Sequence, residues 1–479
     1  MARINTNVAS MTAQLHLGRS TADMNRTLQR LSSGLRITRG ADDPAGLIAS
    51  ETLRAEMASI SQAIDNTQRA SNVIATAEGA LAEVANLLVN IKELAVEAAN
   101  KGALSQKEIE ANQLQVDSAI DSITRIANAT TFAGLHLLNG NLSYITSGVA
   151  SSAIGGLDIY SAMLGDASYL NVQVSGVQSA QKGHLEFRTS QVDQSVTLEV
   201  ASDRGVEVFR FTSSYHVSSM VTAINAVTQA TGVSATWINP ANHASGVVFR
   251  SVDYGSDAYV SVQALPSSTG TFITCDSGGT TTKRDAGRDV TAVVNGATTV
   301  GTGQDITLNT TALDLRMRLD AQFGAGNSTN FYITGGGATF QIGPHINSSE
   351  QTTVGIKSVA ASRLGTNDLG FLSEVSTGGA FSLVSGETAQ ATQIIEEAIQ
   401  QIAVLRGRLG SFERNTLDTN MNSLRITLEN VTASESAIRD ADFAVETANL
   451  TRTQILTNAG TSVLALANQT PQSVLALLQ

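Results

Sequence analysis

Apolar residues recur at alternating steps of three and four along both ends of the chain. Ile74, Ala77, Leu81, Val84, Leu88, Ile91, Ala95 and Ala98 keep this spacing without interruption, the mark of a helical seam packed on another helix. Carried back through Ile60, Ile64 and Thr67, the pattern predicts one helix from near Pro44 to near Gly102. Val116, Ile120, Ile123 and Ala127 predict a second, shorter helix, antiparallel to the first across 101–108. Towards the C-terminus Ile395, Ala398, Ile402, Leu405, Leu409 and Phe412 repeat the spacing. The next step, to Leu417, is one residue too long, and the pattern resumes through Met421, Leu424, Leu428, Val431 and Ile438. A slip of this kind is expected to turn the seam around the helix.

Between about 140 and 385 the texture changes to Gly, Ser, Thr and Val. Alternating runs LEFRTS, VTLEVAS, VEVFRFTSS and NFYITGG predict strands separated by turns. Residues 218–233 predict one short helix among them. The fold class expected is therefore α+β: a long helical coiled-coil bundle built from both chain ends, with a β-rich central insertion as outer domain. Neither helical end buries its stripe alone, so the two must meet across the insertion.

The two extremities carry thinner stripes. Leu17, Met24 and Leu31 with Thr21, Leu28 and Leu35 form one; Leu456, Ala459, Val463 and Leu466 form the other, ahead of Pro471. A buried Leu contributes ~1.5–3 kcal/mol, whereas ordering costs ~1–2 kcal/mol per residue in the backbone alone. So few seam residues do not order segments of this length, and residues 1 to ~38 and ~440 to 479 are expected to be largely disordered in a free monomer. The pair of stripes predicts a two-helix coiled coil with apolar surface left over for burial against further copies. Between arm and body, Asp43 suits an N-cap and Pro44 the first helical position, while Gly40 and Gly46 are expected to give the connection freedom.

The composition narrows the function classes. The chain has 479 residues, 42% hydrophobic but only 4% aromatic, which suits aliphatic helix seams. A net charge of −12 argues against a general nucleic-acid binder, which needs cations to displace phosphate counterions. The N-terminus lacks the apolar run and small-residue cleavage site of a Sec-type signal, and no continuous apolar run approaches the ~20 residues of a membrane span. Cys275 is the single cysteine and reads as a small buried residue. His16, His136, His184, His216, His243 and His345 are scattered, with no HExxH helix. The Gly-rich GTGQD (301–305) and GGGAT (335–339) lack a following GKS/T and read as hairpin turns. No catalytic, cofactor or metal site is predicted.

The chain resembles bacterial flagellin. The resemblance rests on INTNVAS (4–10), LQRLSSGLRI with ADDPAGL (28–47), NVIATAEGALAEVANLLVNIKELAVEAAN (72–100) and TTFAGLHLLNG (130–140). It continues in ADFAVETANLTRTQIL (441–456) and AGTSVLALANQTPQSVLALLQ (459–479). It implies inner arms at 1–40 and 437–479, a helical shaft from 41–170 and 345–436, and a β-rich variable outer domain at 171–344. Residues 183–236 are similar to a strand-and-helix module of some flagellins and hook-associated proteins.

The function implied is a structural subunit of the extracellular flagellar filament, exported unfolded through the flagellar secretion apparatus and ordered at its ends on assembly. The implied partners are copies of itself, sibling flagellins, the export apparatus, a C-terminal chaperone, and the filament cap and hook-associated proteins; membrane insertion, nucleic acid and cofactors are not implied. Arm packing falls to Leu17, Met24, Leu28, Leu31, Leu35, Leu456, Ala459, Val463 and Leu466. The shaft seam falls to Ile74, Leu81, Val84, Leu88, Ile91, Leu405, Leu409, Phe412, Leu424 and Leu428. Flagellins read by an animal innate receptor carry an arginine where this chain has Asn90; Leu88, Glu93 and Leu94 fit that pattern and Asn90 does not, which counts against recognition. A hook–filament junction protein or a filament subunit with an adhesive outer domain are the alternatives.

Overall fold

The computed structural model describes residues 6–476 apart from Asp166, Ser267, Thr269 and Thr311, with side chains as far as residue 469; Ile4 and Asn5 of the INTNVAS motif lie outside. The helices are α1 (Val8–Ser33), α2 (Pro44–Ala98), α3 (Gln106–Ala129), α4 (Val217–Asn225), α5 (Thr228–Thr231), α6 (Thr388–Phe412), α7 (Thr419–Arg439) and α8 (Phe443–Ala476). Two compact units divide them. The first comprises Met1–Ser71, Gln341–Glu350 and Glu413–Gln479, the second Asn72–Phe340 and Gln351–Phe412.

In the second unit the predicted seam is realised. Ile74, Ala77, Leu81, Val84, Leu88, Ile91, Ala95 and Ala98 on α2 are fully buried, and Val116, Ile120, Ile123 and Ala127 on α3 are buried too. α3 begins with a capping box in which the Ser105 hydroxyl accepts from the Glu108 N–H and the Glu108 carboxylate from the Ser105 N–H. Gln113, 2% exposed, is satisfied at both ends: its amide donates to Val375 O at 3.0 Å and accepts from Leu383 N at 2.7 Å. α6 joins α2 through Lys92–Glu396 at 2.8 Å and Arg406–Glu78 at 3.5 Å.

In the first unit, Ile60 and Ala63 of α2 pack with Leu424 of α7, flanked by Ile64, Leu428 and Val431. The one-residue slip in the apolar spacing lies in a π-helical turn, Glu413–Asp418. That turn absorbs the extra residue locally, so Leu417, Met421 and Leu424 stay buried and the expected rotation of the seam does not occur. α2 also holds an 18-residue window of mean hydropathy 1.3, long and apolar enough to cross a membrane by composition, with 33% of it buried inside the chain. Its Ile, Leu, Val and Ala residues raise that mean with polar residues interspersed, so the window is not a continuous apolar run.

The β strands begin earlier than expected. A small hairpin, β1 (Thr131–Phe132) and β2 (Leu135–His136), precedes β3 (Tyr144–Ser147), β4 (Ile154–Ala162) and β5 (Leu170–Gln178). Then follow β6 (His184–Phe187), β7 (Val196–Ala201), β8 (Val206–Phe211), β9 (Val233–Trp237), β10 (Val247–Ser251), β11 (Tyr259–Ala264) and β12 (Arg284–Ala286). The chain returns through β13 (Thr291–Val294), β14 (Ala297–Val300), β15 (Asp305–Asn309), β16 (Leu313–Leu319), β17 (Ser328–Gly336), β18 (Ala338–Gln341) and β19 (Gln351–Val354).

Two cores result. A five-stranded sheet, β14-β13-β5-β17-β3, and a three-stranded sheet, β15-β16-β4, enclose Val172, Val174, Leu315, Met317, Phe331 and their neighbours. Sheets β6-β10-β9 and β12-β11-β7-β8, with α4, enclose Leu185, Leu198, Met220, Phe249 and Val260. Strands at 144–162 thus belong to the β region rather than to the helical shaft, since they pair with strands from its far end. The predicted helix at 218–233 is split into α4 and the single turn α5. The two Gly-rich stretches are not hairpins: 301–305 leads from β14 to β15 and 335–339 from β17 to β18, each pair lying in different sheets. The chain enters and leaves the second of these cores at one point, where Gln181 N donates to Arg288 O at 2.8 Å and Arg288 N to Gln181 O at 2.9 Å.

Candidate assembly interface

α1 and α8 run antiparallel. Asn7 Nδ2 donates to Ala467 O at 2.7 Å, Ser10 Oγ to Asn468 Oδ1 at 2.7 Å, and Arg30 Nη1 pairs with Glu446 at 3.1 Å. The facing stripe of α1 is Ser10, Ala13, Leu17, Ser20, Met24, Thr27 and Leu31; that of α8 is Glu446, Leu450, Thr453, Thr457, Gly460, Leu464 and Ala467. These are mostly small residues. A Cβ on Gly460 would lie 3.3 Å from Leu17 Cδ1, so glycine there sets the approach of the two helices. The threonine hydroxyls turn back on their own helices, Thr27 to Asp23 O, Thr453 to Asn449 O and Thr457 to Thr453 O at 2.8–3.0 Å. Their methyl groups therefore join the seam without leaving a buried donor unpaired.

This arrangement corrects the predicted arm stripe. Leu17, Met24, Leu31 and Leu35 are partly buried as expected, but Leu28 is 45% exposed because the seam position beside it is held by Thr27, in heptad register with Ala13 and Ser20. On α8, Leu456, Ala459, Val463 and Leu466 all face away from α1. The seam lies one residue further along, at Thr457, Gly460, Leu464 and Ala467, a turn of about 100°. The bulkier pattern caught the eye of a hydropathy reading; the small-residue stripe that really meets α1 carries a weaker signal, legible only as Thr and Gly at seam spacing.

The outer face of the pair is strongly apolar. Met11, Leu15 and Leu28 on α1, and Phe443, Ile455, Leu456, Val463 and Leu466 on α8, are exposed, Val463 by 55% and Leu466 by 64%. The structure gives both arms as helices where the sequence predicted disorder. Yet the only buried apolar side chains that α1 and α8 themselves contribute, among those described, are Ala13 and Ala467.

The elbow behind the arms is built, not loose. Gly34 caps α1 at φ 72°, Arg36 N donates to Arg439 O at 2.7 Å and Ala441 N to Gly34 O at 2.9 Å. Asp43 Oδ1 accepts from Gly46 N at 2.9 Å, capping α2. A Cβ on Gly46 would meet Asp43 Oδ2 at 2.4 Å and Ile37 Cδ1 at 2.7 Å, so this glycine permits close packing rather than freedom. The Asp42 carboxylate accepts from Thr38 Oγ1, Thr38 N and Arg39 N. The Thr38 hydroxyl bond, with those backbone bonds, holds its pKa below the usual carboxylate range.

Of the predicted shaft seam, Ile74, Leu81, Val84, Leu88, Ile91, Leu409 and Leu424 are buried, and Leu405, Phe412 and Leu428 are partly so. Leu88 is fully buried and therefore absent from any receptor-facing surface; Asn90 and Glu93 are exposed and Leu94 is half-buried. Cys275 is half-buried rather than enclosed. Among the described residues no group of three or more His, Cys, Asp or Glu is placed to hold a metal.

Residues 4–143 match the family described as bacterial flagellin N-terminal helical region, and residues 392–478 that described as bacterial flagellin C-terminal helical region. Flagellin A of Vibrio anguillarum is 28% identical over 488 residues, and the B-type flagellin of Pseudomonas aeruginosa 29% identical over 500, each alignment covering 99% of both chains.

The chain belongs to the bacterial flagellins.

As a flagellin it is a structural subunit of the flagellar filament and not an enzyme. Among solved structures, this flagellin is similar to the D2–D3 domains of the Escherichia coli flagellar cap protein FliD, at 18% identity and a TM-score of 0.28, covering 40% of this chain and 98% of that one. Flagellar hook associated protein-3 of Legionella pneumophila aligns at 11% identity and a TM-score of 0.31, covering 81% and 98%. At such scores the family rests on the sequence matches alone.

Proposed function

We propose that the α1/α8 pair is the part of this flagellin that joins copies into a filament, and that assembly is what secures its order. The single observation carrying this reading is the apolar outer face of the pair, with Leu456, Val463 and Leu466 exposed over a seam of small residues. Water penalises that face at ~25 cal/mol per Å². A neighbouring subunit that covers it supplies the burial the arms lack, in contacts that repeat without closing. Export of the chain unfolded through the flagellar secretion apparatus fits arms so poorly stabilised. A chaperone on the C-terminal arm would cover the same face before assembly, and the cap and hook-associated proteins would meet it at the two filament ends.

Hydrogen exchange tests the proposal. Amides of α1 and α8 should exchange fast in dilute monomer and become protected in the filament, while α2 is protected in both. Arms protected in the monomer as strongly as α2 would remove the argument.

A further inference from the structure

Where the β region joins the helical shaft, the segment after β19 runs along β4. Gly355 N donates to Tyr160 O at 2.7 Å, and Ile356 N donates to Leu142 O at 2.9 Å. These bonds fix the next residue, Lys357. Its Nζ is in contact with Oδ1 of Asp158 on β4 and also donates to Leu157 O at 3.3 Å. The pair lines a small cavity of about 70 Å³ with Tyr160, Val359, Leu364, Ile402 and Leu405, and a second carboxylate, Glu397 of α6, lines it too. Arg316, the other cation there, is taken by Asp305 at 2.6 Å, so it does not compete for Asp158.

We propose that Lys357 and Asp158 condense to an intramolecular isopeptide bond that closes the inserted β region at its base. An amine, a carboxyl group and a proton-relaying carboxylate in one cavity are the parts this reaction needs. The neutral Nζ attacks the carboxyl carbon of protonated Asp158 and a C–N bond forms. Glu397 takes the amine proton and returns it to the departing hydroxyl, which leaves as water. Nothing is oxidised or reduced, and no further reactant enters.

Two properties of the site favour the step over a plain ion pair. Desolvation pulls the Lys357 pKa down to about 8, which enlarges the neutral, nucleophilic fraction of the amine once Asp158 is protonated and no longer holds it as an ammonium. The backbone bonds of Gly355 and Ile356 before Lys357, and of Val359 N to Leu138 O at 3.0 Å after it, hold the reacting groups together, which replaces a bimolecular encounter by a local one.

Intact-mass spectrometry of the full chain, dissociated from filaments in denaturant, decides the matter. The expected mass is that of the sequence less one water, with a branched peptide joining the segment around Asp158 to the one around Lys357. K357R and D158A, which keep the neighbouring backbone bonds, should return to the full mass, and E397Q should do so or acquire the deficit many-fold more slowly. A wild-type chain at full mass overturns the proposal, as does a deficit that survives in K357R. E397Q condensing at the wild-type rate overturns the proton relay.

Discussion

The π-turn at Glu413–Asp418 makes a sharp prediction about single-residue deletions. It holds the one residue by which the apolar spacing between Phe412 and Leu417 exceeds a helical step. Deleting Arg414, which is exposed, converts the turn to ordinary α-helix and leaves Leu417, Met421 and Leu424 where they are. Deleting Ser423 in α7 has no such reserve. Either Leu424, Leu428 and Val431 rotate by about 100° away from Ile60 and Ala63, or the π-turn collapses to restore them and Leu417 and Met421 rotate out instead. Leu417 is fully buried, and Met421 and Leu424 are 7% and 8% exposed. At ~1.5–3 kcal/mol per buried side chain, the Ser423 deletion should cost about 3–5 kcal/mol. The Arg414 deletion should cost less than about 1 kcal/mol, or stabilise, because α geometry replaces the rarer π turn. Urea unfolding of the two monomers, followed by circular dichroism, separates the cases. Equal losses in both variants would refute the claim that the turn absorbs the slip.

V463D and L466D should abolish filament formation in electron micrographs while shifting the monomer's melting temperature by no more than about 2 °C, because both side chains are already exposed. G46A should destabilise the first unit by about 1–3 kcal/mol, since its Cβ meets Asp43 and Ile37; thermal melts would check it. R30A should lower the temperature at which filaments dissociate while leaving the free monomer's melt unchanged, because it leaves the Glu446 carboxylate, 8% exposed in the ordered arm pair, without its cation; E446Q in the same background should recover part of that loss. Asp42 has a depressed folded pKa, so its contribution is present above the unfolded value of about 4 and is lost as pH falls through the folded one. D42N should therefore flatten the acid limb of the stability–pH curve, measured by denaturant titration.

How much was legible in the sequence depended on side-chain size. The seam from Ile74 to Ala98 could be read because large aliphatic residues repeat there over a long helix, and every one of them is buried. The arm seam was read one residue off because Thr457, Gly460 and Ala467 carry little hydropathy, while the outward Leu456 and Val463 carry more. Burial and hydropathy part company where a surface is kept for another molecule. The slip at Leu417 was visible as a spacing error, but a period count does not tell a rotated seam from a π-turn. Gly46 was read as a source of freedom because a sequence shows the missing Cβ but not the Asp43 and Ile37 atoms that occupy its place. In the centre, strand positions followed from alternation; their pairing did not, because β3 and β4 find partners in β17 and β16, far along the chain.

The meeting of Gln181 and Arg288 has an evolutionary corollary. A genetic exchange that swaps everything between those two positions would have to reproduce the two backbone hydrogen bonds and the contacts of residues 254–256, where Tyr254 packs on the first core and Ser256 donates to Asp289. A cassette that meets those terms can replace the second core while the strands of the first keep their own partners.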